Sequence, residues 1–75
     1  MKAFFVWIHP GGFRPGKPAE IIGVSFVTPS GKEARACYQV RFEDGKEDFC
    51  PISESDKFAI ISEDDVRSGK IPVVK

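Results

Sequence analysis

The chain has 75 residues, of which 41% are hydrophobic and 29% are charged, with 11 basic and 11 acidic side chains. This composition is typical of a soluble globular domain and excludes a disordered tail, a collagen-like chain and a membrane span. The charge is uneven, because residues 1–41 hold six Lys/Arg and two Asp/Glu, whereas residues 42–75 hold five and nine. A neutral chain lacks the basic excess that drives non-specific nucleic-acid binding. The uneven charge distribution still allows a local basic patch on the surface.

The first apolar run, residues 3–8, is too short for a signal peptide and lacks a small-residue cleavage site. We therefore expect a cytoplasmic protein in which Cys37 and Cys50 are free thiols. Two cysteines and one histidine are too few for a structural zinc site, so no metal is expected.

Short runs of β-branched and aromatic residues alternate with Gly and Pro, and helical periodicity is nearly absent, which predicts an all-β fold. We expect one domain over residues 1–75, with an N-terminal extra strand and a Gly/Pro-rich loop in residues 1–18 and a small barrel in residues 19–75. The predicted strands are residues 3–8, 19–28, 36–42, 47–52, 58–61 and 71–74.

Residues 9–18, HPGGFRPGKP, contain two short patterns known from cofactor-binding proteins. HPGG resembles the haem-ligand turn of the cytochrome b-five family, but His9 is the only histidine and has no second axial ligand. Gly11, Gly16 and Lys17 have the spacing of a phosphate loop, yet Pro18 offers neither a hydroxyl nor a backbone N–H, and a strand follows. No cofactor is therefore expected, and a single histidine leaves no catalytic triad or Cys-His pair to argue for an enzyme.

Residues 37–52, CYQVRFEDGKEDFCPI, predict a β-hairpin in which Asp44 and Gly45 form a two-residue type I′ turn. This register places Val40 opposite Phe49, whereas a three-residue turn would place Val40 opposite Asp48 and break the alternation. One face then carries Tyr38, Val40, Phe42, Phe49 and Pro51, and the other carries Cys37, Gln39, Arg41, Asp48, Cys50 and Ile52. On the second face the two cysteines are diagonal neighbours, too far apart for a disulfide.

Residues 62–70, SEDDVRSGK, predict a short 3-10 or helical turn near residues 63–68. Ser62 is suited to the N-cap, the acidic residues 63–65 to the first turn, and Gly69 to the exit. Capping explains the acidic triplet better than a metal or general-acid cluster does. Residues 53–56 are interpreted as another turn.

The segment GKPAEIIGVSFVTPSGKEARACYQVRFEDGKEDFCPI resembles Src-homology-3-like small barrels of the Tudor and KOW kind. Val40, Phe42, Asp44 and Gly45 carry the resemblance, which extends over residues 16–74. It implies a barrel of five to six strands and a binding function, since Tudor domains hold methyl-lysine in an aromatic cage and KOW modules bind RNA or protein partners. The residues that would form such a cage here, Tyr38 and Phe42 or Phe49, are expected on the core-facing side, so we do not expect a methyl-lysine cage in this chain. In size the chain is also similar to short proteins encoded singly in bacterial and phage genomes.

A binding surface is the functional feature that the sequence favours, because functional side chains often project from loops above a rigid barrel. The candidate binding residues are Trp7, Phe13, Arg14, Lys17, Lys32, Arg35 and Arg41. Trp7 and Phe13 could instead complete a small core. The first hypothesis is a non-enzymatic cytoplasmic module that binds a protein partner, and the second is an RNA or DNA binder that uses the five basic residues. We expect no membrane association and either a monomer or a homodimer formed through a strand edge.

Overall fold

The computed structural model describes residues 2–74, so Met1 and Lys75 of the predicted domain lie outside the described residues. The strands are β1 (Ala3–Trp7), β2 (Ala19–Val27), β3 (Arg35–Phe42), β4 (Glu47–Pro51) and β5 (Phe58–Ser62), with a 3-10 helix at Ile52–Lys57 and an α-helix α1 at Glu63–Arg67. They form one antiparallel sheet in the order β4-β3-β2-β1-β5. Over residues 2–74, no helix has the length and apolar character needed to cross a membrane.

The fold was predicted to be all-β; the structure is mostly β, and five of the six predicted strands are present. The sixth, residues 71–74, is wrong, because this segment pairs with no strand among the described residues. Pro72 lies inside it and cannot donate a ladder hydrogen bond. The predicted N-terminal strand is β1, and it lies inside the sheet between β2 and β5. Its consecutive residues Phe5, Val6 and Trp7 are all buried, as expected of a strand covered on both faces.

The predicted register of the β3–β4 hairpin is wrong by one residue. Val40 pairs with Asp48, and the turn has three residues instead of two. The amide of Gly45 donates to the carbonyl of Phe42 at 2.9 Å, and Gly45 has a φ of +90°. This is the geometry of a three-residue turn that ends in a glycine bulge, a common alternative to the type I′ turn. Consequently Phe49, expected in the core, projects from the opposite face and is 43% exposed.

The two cysteines lie on opposite faces of the β3–β4 pair, which corrects the prediction that they share one face. Cys37 pairs with Pro51, and Cys50 pairs with the next residue of β3, Tyr38. Both thiols are free and buried. Burial raises the pKa of the Cys50 thiol to about 12, with smaller contributions from nearby negative groups such as Asp48. Cys50 is therefore an unreactive thiol at neutral pH.

The core lies on the concave face of a curled sheet. Its buried members are Phe5, Trp7, Ala19, Val40, Phe42, Cys50 and Phe58. The rings of Tyr38 in β3 and Phe58 in β5 meet edge to face at 6.0 Å between centroids. These strands are three positions apart in the sheet order, which in a flat sheet would separate them by about 14 Å. The sheet therefore curves enough to bring the side chains of Tyr38 and Phe58 together over the core.

The far end of the β2–β3 pair extends beyond this core. The pairing shifts by one residue between Ile21 and Gly23, and the shift keeps the next apolar side chains of β2 on the core-facing side. Val24 and Phe26 follow on that side, yet they are 61% and 77% exposed. The hydrophobic face of β2 is thus longer than the core that it covers.

The predicted turn after β5 is confirmed as α1. The Ser62 hydroxyl accepts a hydrogen bond from the Asp65 amide at 3.2 Å, which is the expected N-cap. Gly69 has a φ of +77° just beyond the helix, where a left-handed residue ends it. The 3-10 helix covers the other predicted turn and joins β4 to β5.

Candidate functional site

The loop between β1 and β2 and the turn between β3 and β4 enclose a groove of about 490 Å³ on the surface. The loop contributes basic side chains, the turn contributes acidic side chains, and the last residue of β3 contributes an aromatic ring at the bottom of the groove. The groove is lined by Arg14, Pro15, Lys17, Pro18, Phe42, Glu43 and Asp44. Two of the predicted binding residues, Arg14 and Lys17, are therefore brought together.

Trp7 anchors the loop that forms one wall of this groove. Its indole Nε1 donates to the Gly11 carbonyl at 2.6 Å, and its backbone carbonyl accepts from the Gly16 amide at 2.8 Å. The Phe13 ring packs edge-on against the indole at 5.0 Å between centroids. Trp7 is only 4% exposed and Phe13 is half-buried against the core. Trp7 thus holds the loop from below and does not present its ring to a partner.

Gly12 shows how tightly the loop is packed over Trp7. It has a φ of +89°, which L-amino acids with a side chain rarely adopt. A Cβ atom at this position would lie 3.2 Å from the Trp7 Nε1 atom. The glycine-rich sequence of the loop is therefore explained by packing and backbone conformation.

Arg14 connects the loop to the β3–β4 turn. Its guanidinium carbon lies 4.6 Å from the centroid of the Phe42 ring, and its Nη1 atom lies 3.0 Å from Asp44 Oδ2. The ring quadrupole and the carboxylate both attract the cation. Arg14 also has a φ of +49°, the left-handed region, at a cost of roughly 1–2 kcal/mol. Backbone strain of this kind concentrates at ligand-binding sites, where surrounding contacts maintain it.

Asp44 keeps its negative charge beside Arg14. Its Oδ1 atom accepts a hydrogen bond from the Lys46 amide at 3.1 Å. This backbone hydrogen bond, assisted by Arg14, holds the pKa of the exposed Asp44 carboxyl below its usual value. The turn residue therefore stays ionised at neutral pH and fixes one rim of the groove.

Lys17 lies on the rim of the groove, between two prolines in the sequence that form part of its apolar lining. Pro15 and Pro18 have restricted backbones and expose apolar rings without an N–H donor. Lys17 is exposed and has no acidic partner within ion-pair distance among residues 2–74. Its ammonium group is thus available to an acidic ligand above an apolar surface.

The remaining predicted basic residues do not join this groove. Arg41 pairs with Glu47, the residue opposite it in the ladder, at 3.1 Å, and lies in an adjoining recess. Hydrogen bonds from Gln39 and Arg41 hold the pKa of the Glu47 carboxyl below its usual value. Lys32 and Arg35 lie at the other end of β3 and are exposed there. The five cations are therefore divided between two ends of the molecule.

Sequence reasoning missed the residues that complete the groove and one exposed apolar surface. The sequence pattern predicts Phe42 in the core and Asp44 in the turn, and in the structure the two residues together also hold Arg14. Arg14 and Asp44 are 30 residues apart in the sequence, so no local sequence pattern indicates that their side chains meet. The sequence also gives no sign that Phe26 is exposed, because β1 pairs with β2 only at its first two residues and so leaves the far end of β2 uncovered.

The groove can make ion pairs, hydrogen bonds and apolar contacts with a ligand. Its lining side chains are two cations, two carboxylates, two prolines and one aromatic ring. Within residues 2–74 no group of three or more His, Cys, Asp or Glu is placed to hold a metal ion. No protein-family model, curated protein or solved structure matches the chain.

Proposed function

We propose that this chain is a non-enzymatic, cytoplasmic binding module whose groove holds an extended peptide segment of a protein partner. The observation that carries the proposal is the position of Arg14, held in a strained conformation between Phe42 and Asp44. This contact fixes two separate loops relative to each other and so forms the groove before a ligand arrives. A preformed site avoids much of the ordering cost of binding. The free thiols of Cys37 and Cys50 are consistent with a reducing compartment.

The partner segment that fits the groove carries an acidic side chain next to an apolar one. The apolar residue would contact Pro15 and Pro18, and the acidic one would pair with Lys17. Asp44 already neutralises part of the Arg14 charge, which leaves Lys17 as the stronger attraction for a carboxylate. The carboxylates of Glu43 and Asp44 would repel a polyanion that approaches along the same rim.

The arrangement supports a protein partner over a nucleic acid. Counterion release requires several cations that contact neighbouring phosphates. Lys32 and Arg35 lie at the opposite end of β3 from the groove, and Arg41 is paired with Glu47. These positions divide the positive charge instead of concentrating it.

We also propose that the curled sheet is a small barrel of the Src-homology-3-like type. The strand order, the bulge in β2, the 3-10 helix between β4 and β5 and the contact between Tyr38 and Phe58 support this architecture. In such a barrel the loop between β1 and β2 lies over one end of the core, which is where the groove is found.

A random peptide library displayed on phage tests the function directly. We expect selected peptides to combine Asp or Glu with a neighbouring apolar residue. In fluorescence polarisation with a selected peptide, Lys17→Glu should reduce affinity at least about tenfold, which equals about 1.4 kcal/mol. Lys70→Glu is the matched control, because it makes the same charge change at an exposed lysine outside the groove.

The two variants separate the possible outcomes. Loss of binding with Lys17→Glu and normal binding with Lys70→Glu supports the groove. Equal affinities for both variants, or a library that yields no binding peptide, contradicts it. Tight binding of a labelled oligonucleotide that weakens with added salt would instead favour the nucleic-acid function.

A further inference from the structure

The sheet has two outer strands, β4 and β5, and their free edges differ. On β5, the carbonyl of Lys57 accepts from the Ile8 amide at 2.8 Å. Antiparallel pairing alternates, so every second residue from Lys57 bonds to β1. Ile60 consequently directs both its N–H and its C=O group away from the sheet. The Phe58 C=O and the Ser62 N–H also point outward, whereas the Phe58 N–H belongs to the 3-10 helix and the Ser62 C=O to α1. A row of outward backbone groups can pair with another strand.

The β4 edge is protected against such pairing. The carbonyl of Lys46 accepts from the Phe42 amide at 2.8 Å, so the alternate residues of β4 point outward. Of these, Pro51 has no N–H group, and the Phe49 amide donates to the Asp48 carboxylate at 2.8 Å. Proline and local charges are common ways to protect an outer strand.

The β5 edge has none of these features. Its sequence, FAIIS, contains no charged residue and no proline. Among residues 2–74, no group accepts a hydrogen bond from the outward amide of Ile60. The Ile60 side chain is 45% exposed. This edge is therefore an uncharged strand with unused hydrogen-bonding groups.

We propose that β5 pairs with β5 of a second copy of the chain in an antiparallel arrangement about a twofold axis. Outward-pointing residues must face each other, which places Ile60 opposite Ile60 and Phe58 opposite Ser62. The pair of Ile60 residues exchanges two backbone hydrogen bonds, and each Ser62 amide can donate one to the Phe58 carbonyl of the other copy. The two sheets then continue into one.

Charge complementarity favours a second copy as the occupant. In this register the residue before β5, Lys57, lies opposite the residue after β5 of the second copy, Glu63. Each is already ion-paired within its own chain, Lys57 with Glu54 at 3.1 Å and Glu63 with Arg67 at 3.3 Å, so the two pairs would meet with opposite charges facing each other. The twofold axis repeats this opposite-charge pair on both sides. Between them lie only uncharged residues, so no like charges face each other within the paired strands.

The contact is small, since it joins one five-residue strand to another. Interfaces well below the standard size of about 1,600 Å² are weak and transient. We therefore expect a monomer at about 10 µM chain and a substantial dimer population near about 1 mM.

Sedimentation velocity across this concentration range, with the whole chain, tests the pairing. Ile60→Lys places a charge at the centre of the β5 edge and should leave the chain monomeric throughout. Phe49→Lys is the matched control, because it makes the same type of change at a similarly exposed residue of the other outer strand. It should dimerise like the original chain. Circular dichroism checks that both variants remain folded.

Amide hydrogen exchange adds a readout at the residue itself. Exchange at Ile60 should slow as the concentration rises, whereas exchange at Glu47 on the β4 edge should not change. A chain that stays monomeric at 1 mM overturns the proposal. So does a dimer that survives Ile60→Lys or disappears with Phe49→Lys.

Discussion

The two ends of the β2–β3 pair have similar apolar sequences and different environments. At one end Ala19 pairs with Phe42, and both are buried beneath the loop that Trp7 anchors. At the other end Phe26 pairs with Ala36 and is 77% exposed. The curled sheet covers only the first end, because β1 and β5 are too short to reach the second. A hydrophobic strand face is therefore buried only where neighbouring strands are long enough to cover it.

Truncating one phenylalanine at each end of the β2–β3 pair should give the largest difference in stability. Phe42→Ala should lower the free energy of unfolding by about 3–5 kcal/mol, because it leaves a cavity in the core. A chain of this size is stable by roughly 4–11 kcal/mol, so this variant is close to unfolding. Phe26→Ala should change stability by less than about 0.5 kcal/mol. Urea denaturation of both variants gives the two values, and similar losses would contradict the comparison.

Arg14→Gly tests the contacts that hold the groove end together. Glycine relieves the left-handed strain at this position, while the variant loses the contacts with Phe42 and Asp44. These effects oppose each other, so we expect stability to change by less than about 1 kcal/mol. Peptide affinity should nevertheless fall at least about tenfold, or about 1.4 kcal/mol. A variant that binds normally would show that the strained arginine has no role in binding.

The smallest expected effect is the pH dependence of the Arg14–Asp44 pair. The pKa of Asp44 is lowered in the folded state, so its contribution to stability is present above pH 3.8 and decreases as the carboxyl is protonated below it. The urea midpoints of the original chain and Asp44→Asn should therefore differ slightly at pH 7 and converge in acid. A difference that grows on acidification would contradict this assignment.

Local sequence patterns were sufficient to predict most of the secondary structure. Runs of β-branched and aromatic residues identified five strands, and Ser62 with its acidic neighbours identified α1. The register of the β3–β4 hairpin was not predictable, because Asp44 and Gly45 suit both turn types. The three-residue turn places Phe49 outside, against its hydrophobic character. A one-residue difference in a turn therefore reverses the faces of a whole strand.

The groove was predictable only in part. The Gly/Pro-rich loop was correctly placed between β1 and β2, and Arg14 and Lys17 do lie together in it. Their partners, Phe42 and Asp44, are distant in sequence and meet them only because the sheet curls. The exposure of Phe26 likewise depends on the lengths of β1 and β5, which strand propensity does not determine.

We propose that the partner binds in the groove and not at the exposed far end of β2–β3. Amide chemical-shift changes during titration of the labelled chain with a selected acidic and apolar peptide test it most directly. We predict that the largest changes cluster at residues 14–17 and 42–46. Largest changes at residues 24–27 and 35–38 would place the partner on the exposed apolar surface and contradict the account.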